Sequence, residues 1–445
     1  MNSTTSQMQQ QMQHFYYNNN NMSNNTSLVA TATNILLYSL PFIFAFISLV
    51  IIVFFMYIRI KYRFWAMQPV FHVYDLYYWF VNAGIINKEL PLKNRYTNFK
   101  NIKTISFDIL SKENIADFTL LVQLNYLRNK DNTYIPQKDN ILPYFVGHNH
   151  KSFWSFYWQP DILLDNKTNE TVEHQKLIGV ITGRPLHVNF TRKGKVKTHD
   201  KTESMDVYYV DYLCVDKGFR KKNIAPQLIQ THEYTQSHLN KNICVSLFKR
   251  EDELTGIVPL TVYKSFCFDM KKWNRPLQLS ANITLLTGDN QNIYYLYNFI
   301  KETTDKWELT VLPEMSNIIE LVNTKNMFVV MLVSEGEIEA AYIFKKTCTF
   351  IEKEKEIICC IASINGKRLS KENFIQGFKM ALWSIIEKPE NKNFKYLIVE
   401  DTSDNGCIIQ NIVKKTHPIV ESPTAYFFYN FAYNTFKSDD VLIIC

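Results

Sequence analysis

A mixed α/β (α+β) fold behind a single transmembrane helix is predicted by three features of the sequence. Ile35–Ile58 is an uncharged and almost wholly apolar run. From Ile105 onward, short stretches rich in Val, Ile and Tyr alternate with longer amphipathic stretches, a pattern typical of strands that alternate with helices. The same alternation returns over residues 281–445. A chain of 445 residues, 46% of them hydrophobic, is long enough for two packed α/β halves.

The N-terminal segment predicts a tail followed by a membrane anchor. Residues 1–34 contain no Lys, Arg, Asp or Glu and are rich in Asn and Gln, so we expect a disordered tail. At 1.5 Å per residue, Ile35–Ile58 would span roughly 36 Å, enough for a tilted crossing of a bilayer. Arg59, Lys61 and Arg63 follow at once. The positive-inside rule therefore predicts a single-pass membrane protein whose remaining residues lie in the cytoplasm.

Charge and cysteine spacing argue against several classes of protein. The net charge of +7 is too small for its length to indicate nucleic-acid binding. The eight cysteines form no Cys-x-x-Cys pair, and several lie inside apolar runs. We therefore expect reduced cysteines in the core and predict no metal site.

The most informative stretch begins at Val207. Val207–Val215 is rich in Val, Tyr and Leu, which indicates a buried strand, and Asp216–Gly218 predicts a turn. Arg220–Lys222 then place three cations at the start of a predicted helix. The N-terminus of a helix already carries partial positive charge, so added cations favour a site for an anion such as phosphate. A solvated basic turn is the alternative interpretation.

Motifs in three places resemble one enzyme family. Leu213–Val215 followed by Arg220–Pro226 is similar to the acyl-CoA-binding strand and pyrophosphate loop of glycylpeptide N-tetradecanoyltransferases, the N-myristoyltransferases. Phe64–Val70 matches Phe-Trp-x-x-Gln-Pro-Val, with which the catalytic domain of that family opens. Lys176–Pro185 resembles its Lys-Leu-Val-Gly strand, which ends in Ile-Pro in the family and in Arg184-Pro185 here.

The resemblance implies both a fold and a reaction. These enzymes are double-length relatives of the GNAT acetyltransferases, so two tandem acetyltransferase-like halves should form a mixed, saddle-shaped sheet flanked by helices. Residues 62–280 would be the acyl-CoA-binding half and residues 281–445 the peptide-binding half. The implied activity is transfer of a myristoyl group from myristoyl-CoA to the N-terminal glycine amine of a protein or peptide. Myristoyl-CoA would be a co-substrate, and no tightly bound cofactor is implied.

Acyl-CoA binding is assigned by the resemblance to the segment after the membrane helix, to the strand and to the loop. The residues so assigned are Tyr62, Arg63, Phe64, Trp65, Cys214, Val215, Lys221, Lys222, Asn223, Ile224 and Ala225. The family usually has Ser-x-Arg where this chain has Lys221-Lys222-Asn223, so the positive charge is shifted rather than lost. Since backbone amides supply most of such a phosphate site, we expect the loop to keep its function.

The resemblance also assigns the catalytic groups. The main-chain amides of Tyr212 and Leu213 would form an oxyanion hole, turned toward the thioester oxygen by a bulge in the strand. The carboxylate of the last residue, Cys445, would be the base. The sequence supports this role, because Val441–Ile444 is apolar almost to the terminus and predicts a buried C-terminal strand. An exposed edge strand with a mobile Cys445 is the alternative. An α-carboxylate has an ordinary pKa of about 3.3–3.7, and burial raises the pKa of such a group.

The acceptor side departs from the family. Asp211 stands where the family has Asn, and Lys249 aligns with a Thr that helps to position the amine. Glu421 lies in Thr416–Ser422, which replaces a loop rich in glycine. These three residues are the candidate contacts to the acceptor. Their departures leave two alternatives open: an acyltransferase of the same fold with another acyl chain or amine acceptor, or an inactive membrane scaffold that binds acyl-CoA.

Overall fold

A computed structural model describes residues 39–80, 83–127, 132–164, 171–191, 203–251, 256–352 and 354–445. The predicted tail over residues 1–34 lies outside the described residues. The chain divides into two compact units, Met1–Met67 and Gln68–Cys445.

The first unit is dominated by one long apolar helix. Helix α1 (Ser39–Lys61) is long and apolar enough to cross a membrane, judged by length and composition alone. It extends three residues beyond the predicted end at Ile58 and so includes Arg59 and Lys61. A short 3-10 turn, Trp65–Met67, follows it.

The second unit contains helices that begin mainly at polar capping residues. Ser111 and Ser370 accept hydrogen bonds from backbone amides three residues later, at 3.1 Å and 3.2 Å, so each caps its helix. The helices are α2 (Leu76–Phe80), α3 (Lys112–Asn125), α4 (Lys138–Ile141), α5 (Ile224–Leu239), α6 (Ile293–Glu302), α7 (Met315–Asn323), α8 (Lys371–Ile386) and α9 (Asn405–Val413). Helices α3 and α5 pack beside the central sheet.

The strands alternate with these helices as the sequence predicts. They are β1 (Gly84–Ile85), β2 (Ile102–Ser106), β3 (Asn132–Tyr134), β4 (Phe153–Leu164), β5 (Thr171–Phe190), β6 (Glu203–Val210), β7 (Leu213–Val215), β8 (Ser246–Glu251), β9 (Thr261–Asp269), β10 (Ile283–Thr287), β11 (Leu309–Leu312), β12 (Met327–Ser334), β13 (Glu337–Ile351), β14 (Lys355–Asn365), β15 (Phe394–Glu400), β16 (Val420–Tyr429), β17 (Phe431–Ala432) and β18 (Val441–Ile443). The longest path through the main sheet runs β10-β12-β13-β14-β15-β9-β16-β8-β6-β5-β11-β18.

The two predicted halves share this one mixed sheet. Strand β16 lies between β8 and β9, so a strand of the C-terminal half is inserted between two of the N-terminal half. Strand β11 pairs antiparallel with β5, and β18 runs parallel to β11. The mixed sheet is confirmed, while the boundary near residue 280 stays a prediction.

The sheet bends back on itself around a buried interior. Lys345 on β13 and Cys445 just beyond β18 are separated by β14, β15, β9, β16, β8, β6, β5 and β11. Nevertheless the Nζ atom of Lys345 lies 3.2 Å from the carbonyl oxygen of Cys445. Side chains from five strands and the chain terminus pack in one cluster there: Leu186, Tyr209, Leu247, Tyr263, Tyr426 and Cys445. This curvature brings together residues that are distant in the sequence.

Candidate functional site

A bulge interrupts the predicted strand Val207–Val215. Strand β5 pairs with β6 at Arg184↔Tyr209 and with β7 at Ile181↔Leu213. Between these pairs β5 advances three residues and its partner advances four, so one extra residue is accommodated around residues 211–212. A single strand was predicted from composition, and the structure divides it into β6 and β7. The bulge is present where the resemblance placed it.

The bulge orients the two candidate oxyanion donors differently. The amide of Tyr212 donates to Thr182 Oγ1 at 3.2 Å, so this donor already has a partner. Thr182 N donates to Tyr212 O at 3.0 Å, and Asp216 N donates to Ile178 O at 2.9 Å. Because hydrogen-bonded pairs alternate along an antiparallel ladder, the N–H of Leu213 points away from β5. Strand β7 pairs only with β5 among the described strands, so the Leu213 amide faces an unpaired edge.

The turn between β7 and α5 has a backbone suited to an anion. Lys221 and Asn223 have φ of 64° and 59°, in the left-handed region. Such alternation turns successive N–H groups toward one side and forms a concave nest. Asn223 caps α5 without a side-chain hydrogen bond, and α5 begins at Ile224. The basic residues therefore precede the helix, and the prediction that they form its first turn is wrong by a few residues.

The cations of this turn have different surroundings. Arg220 Nη2 donates to the Asn125 carbonyl oxygen at 2.5 Å, so Arg220 ties the turn to the end of α3. The amide of Lys217 donates to Asn125 Oδ1 at 2.9 Å and reinforces this attachment. Lys221 and Lys222 are exposed. These two lysines, rather than Arg220, extend from the turn toward solvent.

The other donor-side residues that the resemblance assigns lie in the core or beside it. Cys214 and Ile224 are buried core residues. Burial raises the pKa of the Cys214 thiol to about 12, so it is a neutral packing group. Val215 and Ala225 are half-buried.

Four of the predicted donor contacts lie before the second unit. Tyr62, Arg63, Phe64 and Trp65 belong to the first unit, after α1. The rings of Phe64 and Trp65 meet edge to face at 5.1 Å. The assignment of these four residues to acyl-CoA binding stays a prediction.

The C-terminal strand is buried, as its apolar sequence predicts. Strand β18 ends the order of the main sheet, yet Val441, Leu442 and Ile443 are all buried. Ile444 N continues the pairing by donating to Val311 O at 2.9 Å. Cys445 is only 7% exposed. The alternative of a mobile terminal residue therefore does not hold.

Cys445 is surrounded by polar groups from several strands. Lys345 Nζ donates to its carbonyl oxygen at 3.2 Å, and the Tyr426 hydroxyl lies 3.2 Å from its Sγ atom. Burial lowers the pKa of Lys345, and negative charge at Cys445 acts in the opposite direction. Lys345 could not be predicted as a site residue from the sequence, because no neighbouring residue indicates that it contacts Cys445.

Asp211 forms a buried ion pair with Arg184. Arg184 Nε lies 2.7 Å from Asp211 Oδ2, and the side chains are 0% and 8% exposed. Burial acts against the charge on Arg184, but Asp211 and Cys445 raise its pKa overall. The pair spans the bulge from β5. One indication of this pair was visible in the sequence, since Arg184-Pro185 stands where the family has Ile-Pro.

Lys249 also uses its charge within the fold. Its Nζ atom lies 2.6 Å from Glu400 Oε1, and the Tyr263 hydroxyl donates to Glu400 Oε2 at 2.8 Å. Burial acts against the charge of Lys249, and Glu400 raises its pKa well above the ordinary value. Glu400 closes β15, and sequence reasoning gave it no role.

Glu421 lies apart from these groups. It belongs to β16, pairs with Lys264 at 3.1 Å, and both side chains are exposed. Tyr426 is five positions further along the same strand, a distance of roughly 17 Å. The end of Thr416–Ser422 is thus strand rather than loop, and the structure does not bring Glu421 to Cys445.

The fold is a mixed sheet flanked by helices, and it carries the bulge, the turn before α5 and the buried chain terminus. Residues 86–260 match the family model of myristoyl-CoA:protein N-myristoyltransferase, N-terminal domain. The match covers 175 of the 445 residues. No curated protein sequence matches it. Within the described residues, no group of three or more His, Cys, Asp or Glu is arranged to hold a metal ion.

Solved structures show the same fold over most of the chain. A Saccharomyces cerevisiae N-myristoyltransferase with bound myristoyl-CoA is 14% identical, with a TM-score of 0.65, over 86% of this chain and 93% of that one. Another structure of the yeast enzyme, with myristoyl-CoA and inhibitors, is 13% identical, with a TM-score of 0.63, over 85% of this chain and 92% of that one. At such identity the likeness concerns the fold.

Proposed function

We propose that the chain is a membrane-anchored N-myristoyltransferase, which moves a myristoyl group from myristoyl-CoA to the N-terminal glycine amine of a protein. The observation that carries this proposal is the bulge beside the open N-terminus of α5. It turns the Leu213 amide away from β5 a few residues before the anion-binding turn. A thioester and its CoA pyrophosphate need such donors on one short segment.

The donor would be held chiefly by main chain. The nest at Lys221–Asn223 and the open N-terminus of α5 offer N–H groups to the pyrophosphate. Lys221 and Lys222 add exposed positive charge. Val215, Ile224 and Ala225 would contribute through backbone and packing. The resemblance also assigns Tyr62–Trp65 to acyl-CoA binding.

The reaction needs no covalent intermediate with the enzyme. The neutral amine attacks the thioester carbonyl carbon, a C–N bond forms, and the oxygen becomes an oxyanion. The Leu213 amide stabilises this charge, joined by the Tyr212 amide if it exchanges its bond to Thr182. The terminal carboxylate of Cys445, positioned by Lys345, accepts the proton of the amine. The C–S bond then breaks, CoA leaves as a thiolate, and the thiolate takes up this proton, so that CoA is released as a thiol and the carboxylate is regenerated.

Membrane anchoring rests on α1. Its length, its apolar composition and the cations at its C-terminal end support one bilayer crossing with Gln68–Cys445 on the cytoplasmic side. Myristoyl-CoA and the N-termini of proteins would be encountered there.

A different amine acceptor is the second candidate function. The buried Arg184–Asp211 pair and the half-buried Lys249–Glu400 pair occupy the positions at which the acceptor side departs from the family. Such charges change what fits beside the base, whereas the donor turn keeps its geometry. An inactive scaffold that binds acyl-CoA is the remaining possibility.

Turnover by the detergent-solubilised full chain separates these functions. The protein is incubated with myristoyl-CoA and a peptide that begins with glycine, and CoA release and peptide mass are followed. A myristoylated N-terminus is the expected product, and an N-acetylated copy of the peptide is the control. Modification of an internal lysine would support the second function. Tight binding of myristoyl-CoA without turnover on any amine would contradict both and favour the scaffold.

A further inference from the structure

Arg184 is a buried cation on the face of the sheet that carries Cys445. Arg184 and Leu186 are two positions apart on β5, so their side chains lie on the same face of the sheet. Leu186 packs in one cluster with Cys445 and Tyr209. Arg184 lies beside the bulge, opposite Tyr209 in the register. Its side chain is 0% exposed. Arg184 therefore stands between the bulge and the chain terminus.

Two donor atoms of Arg184 have no acceptor among the described residues. Asp211 accepts a hydrogen bond from Nε alone, and within this part of the chain neither Nη1 nor Nη2 has a partner. The guanidinium carbon lies 5.5 Å from the ring centre of Tyr144 and 5.3 Å from that of Tyr209. Unmatched N–H groups on a buried cation are costly, so they indicate an oxygen atom that binds there.

The charges around Arg184 indicate which oxygen fits. Arg184 and Lys345 carry positive charge, while Asp211 and the terminal carboxylate of Cys445 carry negative charge. The four charges cancel. An additional anion would leave the buried cluster with an excess negative charge, whereas a neutral carbonyl oxygen would satisfy the free N–H groups without disturbing the balance.

We infer that Arg184 binds the carbonyl oxygen of the acceptor's first residue through its two Nη groups and so selects α-amines. This inference rests on the proposed function. In a peptide, the first carbonyl oxygen lies roughly 3 Å from the amine nitrogen, so both groups can occupy one small site. In a lysine side chain, the amine is separated from the carbonyl by the whole aliphatic stem. Arg184 is thus a specificity-determining residue.

A cycle of enzyme and substrate changes tests this assignment. The detergent-solubilised full chain is given a glycine peptide and an analogue in which an alkene replaces the first peptide bond, which removes the carbonyl oxygen. Wild-type kcat/KM is expected to be roughly 10- to 100-fold lower for the analogue. The Arg184→Lys variant keeps a cation for Asp211 but lacks the paired Nη groups, so it should use both acceptors with nearly equal efficiency.

A second variant separates specificity from folding. Arg184→Met combined with Asp211→Asn leaves neither charge unpaired, and binding of myristoyl-CoA verifies that the protein is folded. It should also lose the preference for the peptide. Equal use of both acceptors by the wild type would overturn the inference. So would variants that lose activity on both acceptors by the same factor, because Arg184 would then act elsewhere. No acylation of either acceptor by the wild type would instead overturn the proposed function, and the role of Arg184 with it.

Discussion

The segments proposed to bind the donor and the acceptor adjoin at Asp211–Leu213 and differ in the groups they offer. The proposed donor side offers main-chain amides with exposed lysines beside them. The proposed acceptor side offers paired charged side chains in the bent sheet, of which Arg184 and Asp211 are buried and Lys249 is half-buried. Main-chain recognition survives substitution, since the amides remain when Ser-x-Arg becomes Lys221–Asn223. Side-chain recognition does not, so the identity of the acceptor depends on those residues.

The largest effect is expected from extending the chain by one glycine beyond Cys445. The base would move and the buried terminus would have to accommodate an added residue, so turnover should fall at least about 100-fold. Binding of myristoyl-CoA, measured by calorimetry, should be unchanged, because the donor side is separate. The control is the same glycine added at the N-terminus. An active extended enzyme would exclude the terminal carboxylate as base.

The next largest effect concerns stability. Asp211→Ala leaves Arg184 buried without its ionic partner, and we expect a loss of about 3–5 kcal/mol in the free energy of unfolding. Urea denaturation followed by tryptophan fluorescence measures it. Lys264→Ala, which breaks an exposed pair on β16, should cost less than about 1 kcal/mol. Equal losses in the two variants would contradict the view that the acceptor side depends on paired charges.

A pH dependence is expected on the donor side. Glu233 on α5 is buried, and burial raises its pKa to about 7, although Ser246 and Ser237 donate hydrogen bonds to it. The folded state therefore holds this proton between the ordinary pKa near 4.5 and about 7, and its contribution to stability is lost as pH rises through that window.

Glu233→Gln should remove this dependence. At pH 8 the variant should be more stable than the wild type by roughly 3 kcal/mol, and at pH 4 the difference should vanish. Thermal unfolding at the two pH values provides the measurement. A change in stability between pH 5 and pH 8 that is the same in the wild type and in the variant would show that other groups dominate the pH dependence.

The smallest effect is expected from the exposed lysines of the donor turn. Replacing both Lys221 and Lys222 by Ala should weaken myristoyl-CoA binding by about tenfold at low salt and less at high salt, because exposed charges are screened. Titration at two ionic strengths checks this, with replacement of the exposed Lys271 and Lys272 by Ala as a matched loss of two charges. A loss of 1000-fold would mean that side chains, rather than amides, hold the pyrophosphate.

Much of the donor side could be predicted from the sequence, because its signals are local. The strand before the bulge, the turn with its cations and the start of α5 occupy one short segment, and the apolar end predicted the buried β18. The register in which β6 and β7 pair with β5 could not be predicted in this way. The extra residue between the Arg184↔Tyr209 and Ile181↔Leu213 pairs follows from pairing with β5.

The acceptor side could not be predicted in the same way. Lys249 and Glu400 are 151 residues apart, and Lys345 is 100 residues from Cys445. Each of these side chains is an unremarkable charge in a strand when read alone. Glu421 is the opposite case. It was predicted to contact the acceptor because its carboxylate fits the family pattern, but it is an exposed strand residue paired with Lys264.

The sequence by itself determined the alternation of strands and helices, the apolar α1, the basic turn before α5 and the burial of the chain terminus. All of these depend on periodicity and on backbone preferences of neighbouring residues. Only the tertiary structure decided that Lys345 and Tyr426 contact Cys445 and that Arg184 pairs with Asp211. The physical reason is that strand order, register and the bending of the sheet determine which distant charges meet, and none of these is a property of a short segment.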